Sequence, residues 1–212
     1  MQTVQAPALA DDTLASVDID SKTTTILDER KRILVLGDSL TAGYGIVLEK
    51  SWLHLLEQEL NSSAENRYRL INAGISGDTT GGGLARLPQA LEQHKPEVVI
   101  VELGGNDGLR GYPVKNIRDN LSKIIATVKA TGAKVVLAGI QIPPNYGQRY
   151  TETFAAIYPQ LAKEQNVPLI PFILDGVALK EEWMQQDGIH PNEDGQEQIK
   201  NNVLSSLTKV LE

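Results

Sequence analysis

Short uninterrupted runs of apolar residues recur along the chain from residue 32 onward, and glycine follows four of them closely. The runs lie at 33–36, 70–71, 98–101, 135–138 and 167–173. Continuous apolar runs, as opposed to alternating ones, predict strands that are covered on both faces, as in a parallel sheet. The fifth run contains Pro168 and Pro171, which predict an edge strand because proline cannot donate to a sheet ladder.

Between these runs, apolar residues recur at three- and four-residue spacing. This period predicts five amphipathic helices, within 52–60, 84–91, 114–128, 154–161 and 199–210. Strands that alternate with helices predict an α/β fold, a three-layer α/β/α sandwich with right-handed crossovers around a five-stranded parallel sheet. Ligands bind outside the carboxyl ends of the strands in such sheets, so we expect functional residues in the loops that follow the strands.

Charge divides the 212 residues into two parts. Residues 1–30 contain six acids and two bases, whereas the whole chain has a net charge of −7. We predict a flexible acidic N-terminal tail at residues 1–30 and one domain at residues 31–212. Ala8-Leu9-Ala10 resembles the remnant of a signal-peptide cleavage site, so we expect a periplasmic or secreted protein; a cytoplasmic protein with a frayed terminus is the alternative.

Composition excludes several classes of protein. The chain has no cysteine, which excludes disulfides, a thiolate nucleophile and thiolate metal sites. No apolar run approaches the roughly 20 residues of a membrane span, so we expect no integral membrane segment. The sequence shows no basic patch, and we therefore expect no nucleic-acid partner. A monomer is the default expectation for the oligomeric state.

The loop after the first run reads GDSLTAGYG and contains Ser39. A serine at a sharp turn after a strand is well placed as a nucleophile if a base lies nearby. The alternative is that Ser39 only caps a helix. A phosphate-binding loop fits poorly because no Gly-Lys-Ser/Thr follows. The G-x-S-x-G elbow fails because Thr41 replaces its second glycine.

The next two strand-end loops carry candidate hydrogen-bond donors. Gly77 lies in NAGISGDTT, where small residues let the backbone approach a ligand, and Asn106 lies in GGND. A backbone N–H and a neutral amide are suitable donors to an oxyanion. Ordinary turns are the alternative for both.

The segment DGIHPN near the C-terminus combines Asp187 and His190. An acid three residues before an imidazole can orient it on one tight turn, as in a general base. A loop histidine without function is the alternative. A metal site of Asp187, His190 and Asp194 is a weak alternative, because it has a single imidazole.

Together these four segments resemble the four sequence blocks of the GDSL, or SGNH, hydrolase family. The resemblance extends from Arg32 to the end, and SGDTTGGGLARLP, VELGGNDGLRG and WMQQDGIHPN resemble its bacterial subgroup of thioesterase I/lysophospholipase and arylesterase enzymes. The resemblance implies a flavodoxin-like sheet with strand order 2-1-3-4-5. It also implies a serine hydrolase that acts on acyl esters and thioesters as small-molecule substrates, without a metal or cofactor.

The resemblance further implies the role of each site residue. Ser39 matches the nucleophile, His190 the general base and Asp187 the acid that orients it. The N–H groups of Ser39 and Gly77 and the amide of Asn106 match the oxyanion hole.

Substrate-binding residues are expected in two further loops. Leu109 follows the GGND block, and Ile142 and Pro143 follow the fourth strand; we expect them to form opposing walls of an acyl site, although both segments could equally be plain loops. Two other functions remain open: a carbohydrate acetyl esterase on the same scaffold, and a non-catalytic ligand-binding module in which Ser39 is only a cap.

Overall fold

The structure, a computed structural model, describes residues 28–62 and 67–211. Most of the predicted tail, including Ala8-Leu9-Ala10, therefore lies outside the described residues. The described part begins with an ion pair between Asp28 and Arg30, in which Oδ2 and Nη2 are 2.8 Å apart. Arg69 also contacts Asp28, so the chain is held against the second strand where it enters the domain.

Five parallel strands form a single sheet in the order β2-β1-β3-β4-β5, which confirms the predicted fold class. The strands are β1 (Lys31–Gly37), β2 (Tyr68–Gly74), β3 (Val98–Glu102), β4 (Lys134–Ala138) and β5 (Leu169–Ile170). The central strands are buried on both faces, as their continuous apolar runs predicted; all five residues of β3 are buried.

Eight α-helices lie within the described residues. They are α1 (Ser39–Ala42), α2 (Trp52–Leu60), α3 (Thr80–His94), α4 (Gly105–Leu109), α5 (Val114–Ala130), α6 (Gln148–Ala155), α7 (Ile157–Glu164) and α8 (Gln196–Leu211). The helix α2 packs against α8, and α3 packs against α5. Along the chain, β2 is added on one side of β1, and β3 and β4 are added on the other side. Right-handed crossovers therefore place the pair α2 and α8 on one face of the sheet and the pair α3 and α5 on the opposite face.

The prediction of one helix within 154–161 is wrong in one respect, because the structure divides this segment into α6 and α7 at Ala156. Pro159 explains the break. It has no N–H to donate to the carbonyl of Ala155, so the helical ladder is interrupted there, whereas a proline in the first turn of α7 is tolerated. The short α1 and α4 were not predicted, because a helix of one turn has no apolar period.

The fifth strand is confined to two residues at the edge of the sheet. Pro168 still accepts a hydrogen bond from Leu137 N, at 2.9 Å, through its carbonyl. The predicted edge position is therefore correct, and the prolines account for the short pairing. No helix in the described ranges is long and apolar enough to cross a membrane.

Removing a large core side chain should destabilise this fold. Leu121 on α5 is fully buried, and we expect Leu121→Ala to lower the free energy of unfolding by about 2–5 kcal/mol through lost burial and the cavity that remains. Leu179→Ala is the matched control, because Leu179 is 98% exposed; its effect should stay within about 0.5 kcal/mol. Urea denaturation measures both. Equal losses would contradict the placement of the core.

Candidate active site

Ser39 is the first residue of α1, directly after β1. The N-cap of α1 is Asp38, whose Oδ1 accepts a hydrogen bond from Leu40 N at 3.1 Å. The structure therefore does not support the alternative in which Ser39 caps the helix. Gly37 allows this turn to be tight, because a Cβ atom there would lie 2.0 Å from Oγ1 of Thr41. The tight turn holds Ser39 at the carboxyl edge of the sheet, with 8% of its surface exposed.

Three of the predicted site residues are joined in a continuous chain of hydrogen bonds. The Nε2 atom of His190 lies 2.8 Å from Oγ of Ser39, although the two residues are 151 positions apart. The Nδ1 atom of the same ring lies 2.6 Å from Oδ2 of Asp187. This arrangement allows the imidazole to receive a proton from the serine while the carboxylate holds the ring in place.

The turn between Asp187 and His190 fixes the carboxylate. Its Oδ1 accepts hydrogen bonds from the backbone N–H groups of Ile189, at 2.9 Å, and His190, at 3.0 Å. Partial burial raises the pKa of Asp187, but the hydrogen bonds from His190 and Ile189 outweigh it and lower the pKa to about 2. Asp187 is therefore ionised at neutral pH, and its charge faces the imidazole.

Gly77 lies in the loop that connects β2 to α3, in a left-handed conformation with φ +81° that suits glycine. The loop is attached to β1, because Ile75 N donates to the carbonyl of Gly37 at 3.1 Å. Arg86 strengthens the attachment by donating to Asp78 Oδ2, at 2.8 Å, and to the Gly37 carbonyl, at 3.1 Å. Sequence reasoning missed the role of Arg86, although it lies within the segment SGDTTGGGLARLP, because its partner Gly37 is 49 positions away.

Asn106 lies in the first turn of α4, after β3. Its Nδ2 donates to Oδ2 of Asp38 at 3.1 Å, so the amide is one hydrogen bond away from the residue next to Ser39. The other N–H of the amide is available to a ligand. The structure thus joins Asn106 to the nucleophile loop through Asp38, and the Gly77 loop to the same strand end through Gly37.

Comparison with known proteins identifies this arrangement. The sequence profile of the GDSL-like lipase/acylhydrolase family matches residues 35–198, which include the loops just described. The chain belongs to this family. The match confirms the resemblance found in the sequence.

Relatives within the GDSL-like family match nearly all of the domain. An arylesterase from Vibrio mimicus is 52% identical over 181 residues, which are 85% of this chain and 90% of the relative. Thioesterase 1/protease 1/lysophospholipase L1 of Escherichia coli strain K12 is 52% identical over 179 residues, or 84% of each chain. The crystal structure of TesA is 44% identical, with a TM-score of 0.82, and the match covers 85% of this chain and 99% of TesA.

Two buried carboxyl groups lie beneath the nucleophile loop of this GDSL-like domain. Asp38 is 3% exposed, and Glu102, the last residue of β3, is fully buried. Glu102 Oε2 accepts hydrogen bonds from Thr41 Oγ1, at 2.8 Å, and Asp38 N, at 3.2 Å, while its Oε1 has no partner. The signal for Glu102 in the sequence was an acid directly after a continuous apolar run, which sequence reasoning did not use.

Burial shifts the pKa values of this pair. Burial raises the pKa of Asp38 to about 6, despite hydrogen bonds from Leu40 and Asn106 and the proximity of His190. Burial and the neighbouring charge of Asp38 raise the pKa of Glu102 well above its usual range. Both shifts have the same physical cause, because removal of a carboxyl group from water disfavours its charged form.

The residues expected at the acyl site differ in exposure. Leu109 ends α4 and is half-buried, Pro143 is exposed, and Ile142 is 8% exposed within the core. The two loops meet, because a Cβ atom on Gly108 would lie 2.8 Å from Cγ2 of Ile142. Their role in binding an acyl group stays a prediction.

In the part of the chain that the structure describes, no group of three or more His, Asp or Glu side chains is arranged to hold a metal ion. His190 is instead held by Ser39 and Asp187 through its two ring nitrogens.

The raised pKa of Asp38 should make stability depend on pH. The folded protein keeps this proton up to about pH 6, whereas an unfolded aspartate loses it near a pKa of about 3.9. The more tightly held proton stabilises the folded state. This stabilisation is complete below about pH 3.9 and is lost as the pH rises through about 6. The amide introduced by Asp38→Asn does not ionise. The difference in unfolding free energy, Asp38→Asn minus wild type, should therefore increase from about pH 4 to about pH 7.5.

Urea denaturation of both proteins at the two pH values measures this double difference. Changes common to both proteins, including the titration of surface carboxylates, cancel in it. A difference that stays constant or decreases with pH would show that Asp38 ionises in the folded protein as easily as in the unfolded chain.

Proposed function

We propose that this protein is a serine hydrolase that cleaves acyl esters and thioesters through an acyl-enzyme intermediate on Ser39. The observation that carries the proposal is the hydrogen-bonded chain Ser39–His190–Asp187, with contacts of 2.8 and 2.6 Å. The names of the relatives, an arylesterase and a thioesterase/lysophospholipase, support the substrate class.

Acylation begins with proton transfer from Ser39 Oγ to Nε2 of His190. The oxygen attacks the carbonyl carbon of the substrate at the same time, and the carbonyl π electrons move to its oxygen to give a tetrahedral oxyanion. Asp187 is ionised because of its low pKa and stabilises the imidazolium that forms. The aspartate remains unprotonated during this step.

The oxyanion is assigned three donors: the N–H groups of Ser39 and Gly77 and the amide of Asn106. A donor of this kind contributes about 3 kcal/mol to transition-state stabilisation. Asp38 holds one N–H of the Asn106 amide at 3.1 Å, which leaves the other N–H to face the developing charge.

Collapse of the oxyanion expels the alcohol or thiol, which takes the proton from His190. Water then attacks the acyl-Ser39 carbonyl while His190 accepts one of its protons, and the second collapse releases the acid and restores Ser39. Each step uses groups of this chain and water, and it applies equally to oxygen esters and thioesters because both pass through the same tetrahedral species.

Ser39→Ala should fold normally and lose nearly all hydrolysis of p-nitrophenyl esters, because it lacks the attacking oxygen. Ser205→Ala is the matched control, because Ser205 lies on the exposed side of α8. We expect a fluorophosphonate to label the wild type and Ser205→Ala but not Ser39→Ala. Wild-type turnover by Ser39→Ala would refute the proposed function.

The acyl chain of the ester should be varied in the same assay, from acetyl to palmitoyl. Turnover of long chains would support the thioesterase/lysophospholipase type of substrate. Turnover confined to acetyl and butyryl esters would support the arylesterase type and would exclude a long acyl site beside Leu109 and Ile142.

Asn106→Ala should reduce kcat by about 10²–10³-fold, with a smaller effect on KM, because the amide acts mainly on charge that develops in the transition state. Steady-state kinetics with p-nitrophenyl butyrate measures both constants. A change in KM alone would remove Asn106 from the oxyanion hole and place it among the groups that bind the ground state.

A further inference from the structure

Gln185 joins the loop that carries His190 to the loop that carries Ser39. Its backbone N donates to the carbonyl of His190 at 2.7 Å. Its Nε2 donates to the carbonyls of Tyr44, at 2.8 Å, and Pro191, at 3.0 Å. The side chain therefore reaches Tyr44, 141 positions away, and spans the contact between serine and imidazole.

The backbone beside Tyr44 is shaped to receive Gln185. Gly45 has φ +72°, and a Cβ atom there would lie 2.3 Å from Oε1 of Gln185. A side chain at position 45 would thus be strained and would displace the amide. The close approach of Gln185 therefore depends on glycine at this position.

The ring of Tyr44 completes the enclosure of His190. The ring centroids of Tyr44 and His190 are 4.6 Å apart, with the planes inclined at 41°. Tyr44 is 52% exposed, so its ring covers the imidazole on one side while its other side meets solvent. An aromatic face at this distance attracts a cation, and the imidazole becomes one during acylation.

We propose that Gln185 and Tyr44 are positioning residues for His190, acting as a clamp on the imidazole. Gln185 fixes the backbone at His190 and at Tyr44, and the ring of Tyr44 limits rotation of the imidazole. Neither residue is assigned a contact with the substrate carbonyl. The catalytic consequence rests on the proposed function, whereas the restraint on the ring does not.

Gln185→Met tests the hydrogen bonds, because methionine keeps the length of the side chain and removes both donors. A displacement of about 1 Å in a reacting group can cost about a hundredfold in rate, so we expect kcat to fall about 10- to 100-fold, with KM changed less than threefold. Gln89→Met on the exposed face of α3 is the matched control and should match the wild type. Thermal unfolding of each variant separates a local effect from loss of the fold.

A second measurement reports on the ring without turnover. The proton between His190 Nδ1 and Asp187 should give a far-downfield ¹H NMR signal in the wild type and in Gln89→Met. It should broaden or disappear in Gln185→Met, because a mobile ring exposes this proton to exchange with water. An unchanged signal together with an unchanged kcat would overturn the clamp.

Variants of Tyr44 test the ring separately and leave the backbone contacts of Gln185 in place. Tyr44→Leu should lower kcat about tenfold and broaden the downfield signal, whereas Tyr44→Phe, which keeps the aromatic face, should do so less. Equal effects of the two substitutions would remove the ring from the proposal. If Ser39→Ala retained activity, the proposed function would fail, but the NMR result would still decide whether the ring is clamped.

Discussion

The parallel pairing of β1 with β2 and β3 is the constraint on which the site depends. It places Gly37 in register with Gly74 on one side and with Glu102 on the other, so three loops begin at one point of the sheet edge. The carbonyl of Gly37 accepts from both Ile75 and Arg86. The end of one strand thus positions both Ser39 and the loop of Gly77, independently of any contact between the catalytic side chains.

Environment separates the carboxyl groups around this point into two kinds. Asp187 is partly exposed and accepts three hydrogen bonds, which keep it ionised and able to stabilise a cation. Asp38 and Glu102 are buried, so their pKa values are raised, and they act as hydrogen-bond partners of the nucleophile loop. The same chemical group therefore supplies charge beside the imidazole in Asp187, whereas in Asp38 and Glu102 it holds the loop of Ser39 through hydrogen bonds.

Apolar runs followed by glycine predicted the strands, whereas the resemblance to the GDSL family implied the strand order and the grouping of Ser39 with His190 and Asp187. Arg86, Glu102 and Gln185 escaped prediction because their roles depend on partners far along the chain, and Gln185 reaches Tyr44 across 141 positions. Ile142 shows the opposite difficulty, since its position after a strand predicted an accessible wall, but packing against Gly108 buries most of it. The break between α6 and α7 is predictable from Pro159, because proline cannot donate a hydrogen bond to the carbonyl of Ala155.

Trp52 connects the loop of Ser39 to the start of α8. Its indole Nε1 donates to the carbonyl of Leu40, beside Ser39, at 3.0 Å, and its backbone N donates to Gln196 at the start of α8, also at 3.0 Å. The turn that carries His190 is thereby tied through α8 to the helix that begins at Ser39. Gln185 adds a shorter connection between the same two loops, because its side chain donates to the carbonyls of Tyr44 and Pro191.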